Sequence, residues 1–339
     1  MDIVSLLVSS GADVNHLGPC LSTALHLACN VNSPKLVSWL LSNGAEATAV
    51  LDDGTTALHC ACQTGDGSVV AAVLLEQGSE SLLHRTRRSN AGITGITVLH
   101  DATEFADLAS VLVLLKYKVD VDAETSAGIT ALHIAAKHGH ADIASELISH
   151  DAQREILASD TKGCSVCPLH YAVENSHTAV ISTLLNAGAN VNAGRTYSGR
   201  EDVTCLHLAA MRQNVEMIRQ LLAVPSIDVN ARDSDNATTL HVAARGRFID
   251  VAELLLQHGA DVNIGMTLGQ SSNQTALHCA VRYRHVALAR MLLAAGADVN
   301  ATEKMAACKV PSGDLLCAVV HSIAYFIYLQ FYRRTETFA

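Results

Sequence analysis

Four residues, Leu-His-x-Ala, recur eight times along this 339-residue chain, and that recurrence limits the fold more than any other feature. The histidines are His26, His59, His100, His133, His170, His207, His241 and His278, separated by 33, 41, 33, 37, 37, 34 and 37 residues. A period of this size belongs to an array of stacked units in which each unit touches only its neighbours. Chain length alone would point to two or so compact domains. The repeat displaces that expectation, because an elongated array can add units without enlarging a single core. It also frames the functional question: such an array offers a long surface, and nothing in the period supplies chemistry.

One unit, residues 231–263, shows the local logic. Residues 231–237 are polar and turn-rich. Thr238 stands at a helix N-cap, where its hydroxyl satisfies a free amide of the first turn. A short helix follows from Thr239. Between Phe248 and His258, Val251, Leu254 and Leu255 fall at i, i+3 and i+4, one face of a second helix. Gly259 ends that helix, since glycine accepts the left-handed conformation just beyond a last turn. Asp261-Val262-Asn263 leads out. The cap threonine recurs at Thr23, Thr56, Thr97, Thr130, Thr204 and Thr275, and Cys167 replaces it once, followed by Pro168 at the first helical position. Helix-ending glycines recur at Gly11, Gly44, Gly78, Gly188 and Gly296, and exit asparagines at Asn15, Asn192, Asn230 and Asn300.

Besides the leucine, two slots never vary among the eight units, the histidine and the alanine two residues after it. The small alanine lets helices approach closely. A histidine there needs hydrogen-bond partners, and cap hydroxyls or turn carbonyls of its own or the next unit are the expected ones. We read the set as structural in preference to a catalytic or metal-binding array.

Thr-Ala-Leu-His-x-Ala-Ala, Leu-Leu-x-x-Gly-Ala and Asp-Val-Asn together resemble the ankyrin repeat, over residues 1 to about 302. The resemblance implies an all-α ankyrin-repeat solenoid, stacked helix-turn-helix units joined by hairpin-like turns. It assigns 1–15 as a partial repeat holding only a second helix, 16–302 as eight repeats, and 303–339 as a non-repeat apolar segment. It implies protein partners held along the turn tips and a concave first-helix face, with a monomer expected. It also raises hydroxylation of turn asparagines such as Asn263 and Asn300. Ala stands where the family often has Pro after the cap threonine, with little expected effect.

The breaks in the pattern carry the candidate binding residues. The partial first unit points to a fragment or an alternative start, with further repeats upstream. The 41-residue interval before His100 holds an insertion near 79–96 containing Arg85, Arg87 and Arg88. Insertions in such arrays map to one face, often the binding face, and an arginine cluster there suits an acidic partner or phosphate; a solvated loop without consequence is the competing reading. Longer turns precede His170, His207 and His278. The turn 194–202 carries Tyr197 and Arg200, residue types enriched at interface anchors. First-helix positions add Lys137, Met211, Arg212, Arg245, Arg282 and Tyr283.

The end of the chain departs altogether. Residues 315–332 form an 18-residue run without charge, followed by Arg333-Arg334. That is the threshold length for spanning a bilayer, roughly 18 residues, with aromatics and arginines placed as interface anchors. His321, Ser322 and Gln330 weaken a membrane anchor, and a helix packed over the last repeat is preferred; a tail without a packed home is the third possibility.

Several of the ten cysteines occupy slots where other repeats carry Ala, Thr or Ile, which reads as small buried residues rather than a disulfide framework. No signal peptide precedes the first helix. The expected compartment is therefore the cytoplasm, with the nucleus an alternative and membrane anchoring a further one. A net charge of −10 argues against a nucleic-acid partner. Cys164 and Cys167 beside His170 have partial zinc spacing, but structural zinc needs four ligands and no second pair is near. His138-Gly139-His140 looks like a metal pair, yet matches the ordinary turn between repeat helices. No phosphate loop, metalloprotease or nucleophile-elbow pattern is present, so neither enzyme activity, a metal nor a cofactor is expected. The expectation is a non-catalytic interaction scaffold. The alternative is the recognition arm of a larger adaptor, channel or signalling protein, since ankyrin arms accompany such modules; no adaptor box or kinase motif is present in these residues.

Overall fold

The computed structural model describes residues 2–77, 80–150, 152, 167–268, 271–305 and 313–314. The chain divides into two compact blocks, with the boundary between Ala189 and Asn190. In the first block, first helices run Ala24–Asn30, Ala57–Cys62, Val98–Glu104, Ala131–His138 and Pro168–Glu174. Each pairs with a second helix: Pro34–Ser42, Ser68–Glu76, Leu108–Lys116, Ala141–Ser149 and Thr178–Asn186. In the second block the pairs are Cys205–Met211 with Val215–Leu222, Thr239–Gly246 with Ile249–Gln257, and Ala276–Arg282 with Val286–Ala294. Within each block, first helix packs on the next first helix and second on second, as an all-α stacked array requires.

The packing follows the invariant slots. All eight repeat alanines are buried, and so is the leucine before each histidine. Second helices contribute pairs such as Val70 and Leu74, Val180 and Leu184, and Val251 and Leu255 to the same core. Five cysteines, Cys29, Cys60, Cys62, Cys205 and Cys279, are buried free thiols in these slots. Burial pushes the Cys60 thiol up to about 12 and raises those of Cys29 and Cys62, so they behave as small apolar fillers.

The histidines hold the caps through Nδ1, and four of them also tie to the next repeat through Nε2. At every threonine cap, Nδ1 lies between 2.7 and 2.9 Å from the cap hydroxyl and also accepts from the cap's own N–H. Cys167 fills the same place, its Sγ 2.9 Å from His170 Nδ1. Nε2 reaches the next repeat: His59 to Ile96 O (3.3 Å), His100 to Ile129 O (2.9 Å), His207 to Ala237 O (3.1 Å) and His241 to Gln274 O (2.9 Å). A carbonyl oxygen only accepts, so in these four Nε2 carries the proton and Nδ1 presents its lone pair to the cap. Each carbonyl belongs to the residue immediately before the next cap. A second tie runs through exit asparagines: Asn192 donates to Ser226 O (2.7 Å) and accepts from the Asp228 N–H (2.8 Å), and Asn263 does the same with Gly296 O (3.3 Å) and the Asp298 N–H (2.8 Å).

Gly11, Gly44, Gly188, Gly259 and Gly296 end their helices at φ between 81 and 94°; Gly78 lies outside the described residues. The first helix, Asp2–Ser9, leaves Ile3, Leu6 and Leu7 exposed, while Asn15 clamps Gly44 O and the Glu46 N–H as the other exit asparagines do.

The longer turns depart from a purely helical array. Gly194–Tyr197 and Arg200–Thr204 form an antiparallel hairpin whose central residues, Ser198 (φ 50°) and Gly199 (φ 80°), both take positive φ, as a tight hairpin of strand-like twist needs. Met266–Leu268 and Ser271–Gln274 form a second hairpin, and Thr302–Met305 adds to its edge through Ser271–Met305 and Ser272–Lys304. The boundary expected at 302 thus falls at the start of a strand. The insertion near 79–96 is also ordered where described. It opens with a short turn of helix, Glu80–His84, that buries Leu82 and Leu83, and Arg87 exchanges backbone bonds with Ile96 (2.9 and 3.2 Å). No helix among the described residues is long and apolar enough to cross a membrane; the run 315–332 lies outside them.

Candidate functional site: grooves on the first-helix face

In the first block the insertion roofs a groove of about 410 Å³. Its walls are Ile93, Ile96, Phe105, Ile129, Ile134 and Tyr171, with Glu104 and Lys137 at the edge. Phe105 is 47% exposed, although an aromatic ring of that size gains most from burial. The roof is pinned by one ion pair. Asp101 follows His100 in a slot that holds Leu27, Cys60, Ile134, Tyr171, Leu208, Val242 or Cys279 in the other repeats, and its side chain is only 2% exposed. Arg87 donates to it through Nε (2.8 Å to Oδ2) and through Nη2 to Oδ1, and Gln63 adds a third bond (3.1 Å). A two-pronged guanidinium is what a buried carboxylate requires.

The three arginines of the insertion are therefore not one cluster. Arg85 and Arg88 are exposed, and Arg87 is engaged inside the molecule. The same division appears in the second block. Arg200, on the hairpin, pairs with buried Asp233 (3.3 Å) and with Asp235 (3.1 Å). Tyr197 is half-buried on that hairpin, with the Arg195 guanidinium 5.3 Å from its ring centre.

The second block has its own groove of about 390 Å³, lined by Arg200, Met211, Val242, Arg245, Gly246, Phe248 and Tyr283. Four candidates from the sequence, Arg200, Met211, Arg245 and Tyr283, converge here from three successive repeats. Arg212 and Arg282 are exposed at the ends of the flanking first helices. Lys137 belongs to the first groove. Sequence reasoning missed Phe105, Tyr171 and Phe248. Phe105 was detectable, because it stands five residues after its repeat histidine, as Tyr283 does. Phe248 was not: its ring lies over Gly246, where an added Cβ would come within 2.1 Å of it, a contact that only the folded turn reveals.

A polar cluster borders the first groove. The rings of His138 and His140 stack with centres 5.8 Å apart, His138 Nε2 lies 3.3 Å from Glu104, and His177 Nε2 bonds Lys137 O at 3.0 Å. Burial, then the neighbouring His138 and His177, hold His140 below the usual histidine range. Among the described residues no trio of His, Cys, Asp or Glu has metal-holding geometry. Cys164, half of the partial zinc spacing, lies outside those residues, and Cys167 is engaged by His170.

The comparisons agree with the geometry. The sequence model described as "Ankyrin repeats (3 copies)" matches residues 1–85, 99–195 and 206–303, and "Ankyrin repeats (many copies)" matches 169–222. The ankyrin repeat domain of human ASB11 superposes with a TM-score of 0.56 at 25% identity, covering 71% of this chain and 99% of that one. Among curated proteins, alpha-latrotoxin-Lg1a of Latrodectus geometricus is 35% identical over 39% of this chain, the nuclear factor NF-kappa-B p105 subunit of Gallus gallus 34% over 50%, and the tyrosine-protein kinase Shark of Drosophila melanogaster 38% over 41%. The matched segments span only 9%, 17% and 14% of those relatives. Family matches over most of the chain, with the fold and cap network that the repeats build, place this chain in the ankyrin repeat family.

Proposed function

We propose that this chain is a non-catalytic protein-binding scaffold that holds its partner along the first-helix face and the turn tips. Ankyrin repeats are in general protein–protein interaction modules, which supports the coarse reading. The observation that carries the finer one is the convergence of aromatic and charged side chains on that face, exposed Phe105 and Lys137 in one block and exposed Tyr283 with half-buried Arg245 and Phe248 in the other. Stacking does not need them there, and aromatic and arginine anchors dominate interface energies. The buried free thiols favour a reducing compartment, cytoplasm or nucleus.

Placing a photo-crosslinking residue at Phe105 or Met211, and for comparison at exposed Glu253 on a second helix, tests the face directly. Adducts are expected at the first two. Adducts confined to Glu253 would reject the assignment.

A second reading, recognition arm of a larger adaptor, channel or signalling protein, is favoured by the small fraction of each relative that the matched segment occupies. Detection of a longer product carrying these repeats checks it.

A further inference from the structure

We infer that the second block binds an extended acidic peptide along the turns that join its helix pairs, an inference that rests on the first-helix reading above. Three successive turns carry arginine: Arg212, then Arg245 and Arg247, then Arg282 and Arg284. No Asp or Glu stands among residues 211–213, 245–247 or 282–284. The equivalent positions in the first block, 30–32, 63–65, 104–106, 137–139 and 174–176, hold Glu104, Lys137 and Glu174 and no arginine, so the basic row is particular to the second block. Glu216 and Asp250 lie three residues beyond their windows, at the second position of the second helices.

The row borders the groove floored by Met211, Val242, Phe248 and Tyr283. Arg200 contributes no net charge to it, because Asp233 and Asp235 already engage its guanidinium. Arg245 lines the groove and makes no ion pair with a described residue. A guanidinium fork fits a carboxylate with two parallel bonds. Packed helices stand about 8–10 Å apart, and an extended chain advances about 3.3 Å per residue. Carboxylates three residues apart therefore meet successive turns, and an apolar side chain between them enters the groove between Phe248 and Tyr283. That apolar floor favours a peptide over a nucleic acid, whose phosphates would leave it unfilled.

Arginines at helix ends also balance the carbonyl end of the helix dipole. That role alone predicts lost stability without lost ligand, so the test separates the two. Fluorescence anisotropy of the full chain uses a labelled peptide with Glu at every third position and Leu and Ser between, its Lys-for-Glu counterpart, and oligothymidine of similar charge. The acidic peptide is expected to bind, more weakly as salt rises. Arg245→Glu combined with Arg247→Glu weakens it at least about tenfold at a temperature well below a thermal midpoint that falls only slightly. Arg290→Glu, on a second helix, has no effect. Equal binding of the Lys peptide or of oligothymidine, unchanged binding by the paired variant, or loss that follows the thermal midpoint would each overturn the inference. If the acidic peptide fails while adducts at Met211 persist, the first-helix reading stands and only the acidic chemistry falls. If adducts also shift to Glu253, both fall.

Discussion

A histidine that accepts at Nδ1 and donates at Nε2 has one workable charge state, the neutral one. A proton on Nδ1 would face the cap N–H, donor against donor. Burial works in the same direction: it depresses His59, His100 and His207, and takes His241 from 6.5 to about 4. Unfolded, the imidazole of His241 takes up its proton near 6.5; folded, it does so only near 4. Between those values the unfolded chain binds more protons. Stability is therefore complete above the unfolded value and is lost as pH falls through the window, by about 3 kcal/mol for His241 alone. Urea unfolding above and within that window measures it, and pH-independent midpoints would refute the neutral buried imidazole. Thr238→Val keeps the cap's shape and removes its hydroxyl, with an expected cost of about 1 kcal/mol. This layer was largely legible in sequence. The invariant histidine and the cap threonine three residues before it implied partners in the same or the next repeat, although spacing alone did not show that for His59, His100, His207 and His241 the distal partner is the carbonyl before the following cap.

At the scale of elements, the insertion is a strap more than a loop. Its arginine meets the one acid in a slot that is otherwise apolar. Arg87→Met leaves the Asp101 carboxylate buried with Gln63 as its remaining side-chain donor, at a cost on the order of 3 kcal/mol. Adding Asp101→Leu is expected to recover most of that, since a matched apolar pair is often no worse than a buried ion pair. A double-mutant cycle in urea checks both, and a cost of only a few tenths for Arg87→Met would mean the strap is held by its backbone bridge instead. In the second groove, Gly246→Ala introduces no backbone strain but drives a Cβ into the Phe248 ring. The Phe248 ring resonances are expected to shift while the unfolding midpoint barely moves. The sequence marks the candidate residues by type and position but not by employment. Sequence marks an arginine in a turn; it does not reveal whether an acid inside the molecule has already claimed it, as happens to Arg87 and Arg200 and does not happen to Arg245. The sequence shows the hairpins at 194–204 and 266–274 only as longer turns; pairing in the first depends on positive φ at Ser198 and Gly199.

For the molecule as a whole, stability is a sum of repeats and the contacts between adjacent ones. Leu206 is 1% exposed in the core of the second block, and Leu206→Ala is expected to cost about 2–5 kcal/mol. Hydrogen exchange within residues 190–302 reads its reach: protection falls most in the substituted repeat and recovers along the stack, whereas uniform loss would mean one indivisible core. The vertical ties explain how that additivity coexists with uneven spacing. They join fixed points, an imidazole to the carbonyl ahead of the following cap and an asparagine to the following exit. Nothing in either tie records how many residues lie on the path between. Intervals as different as 33 and 41 residues therefore register identically, and the connecting segments are free to lengthen, sprout strands or acquire new side chains while the scaffold beneath keeps its pitch.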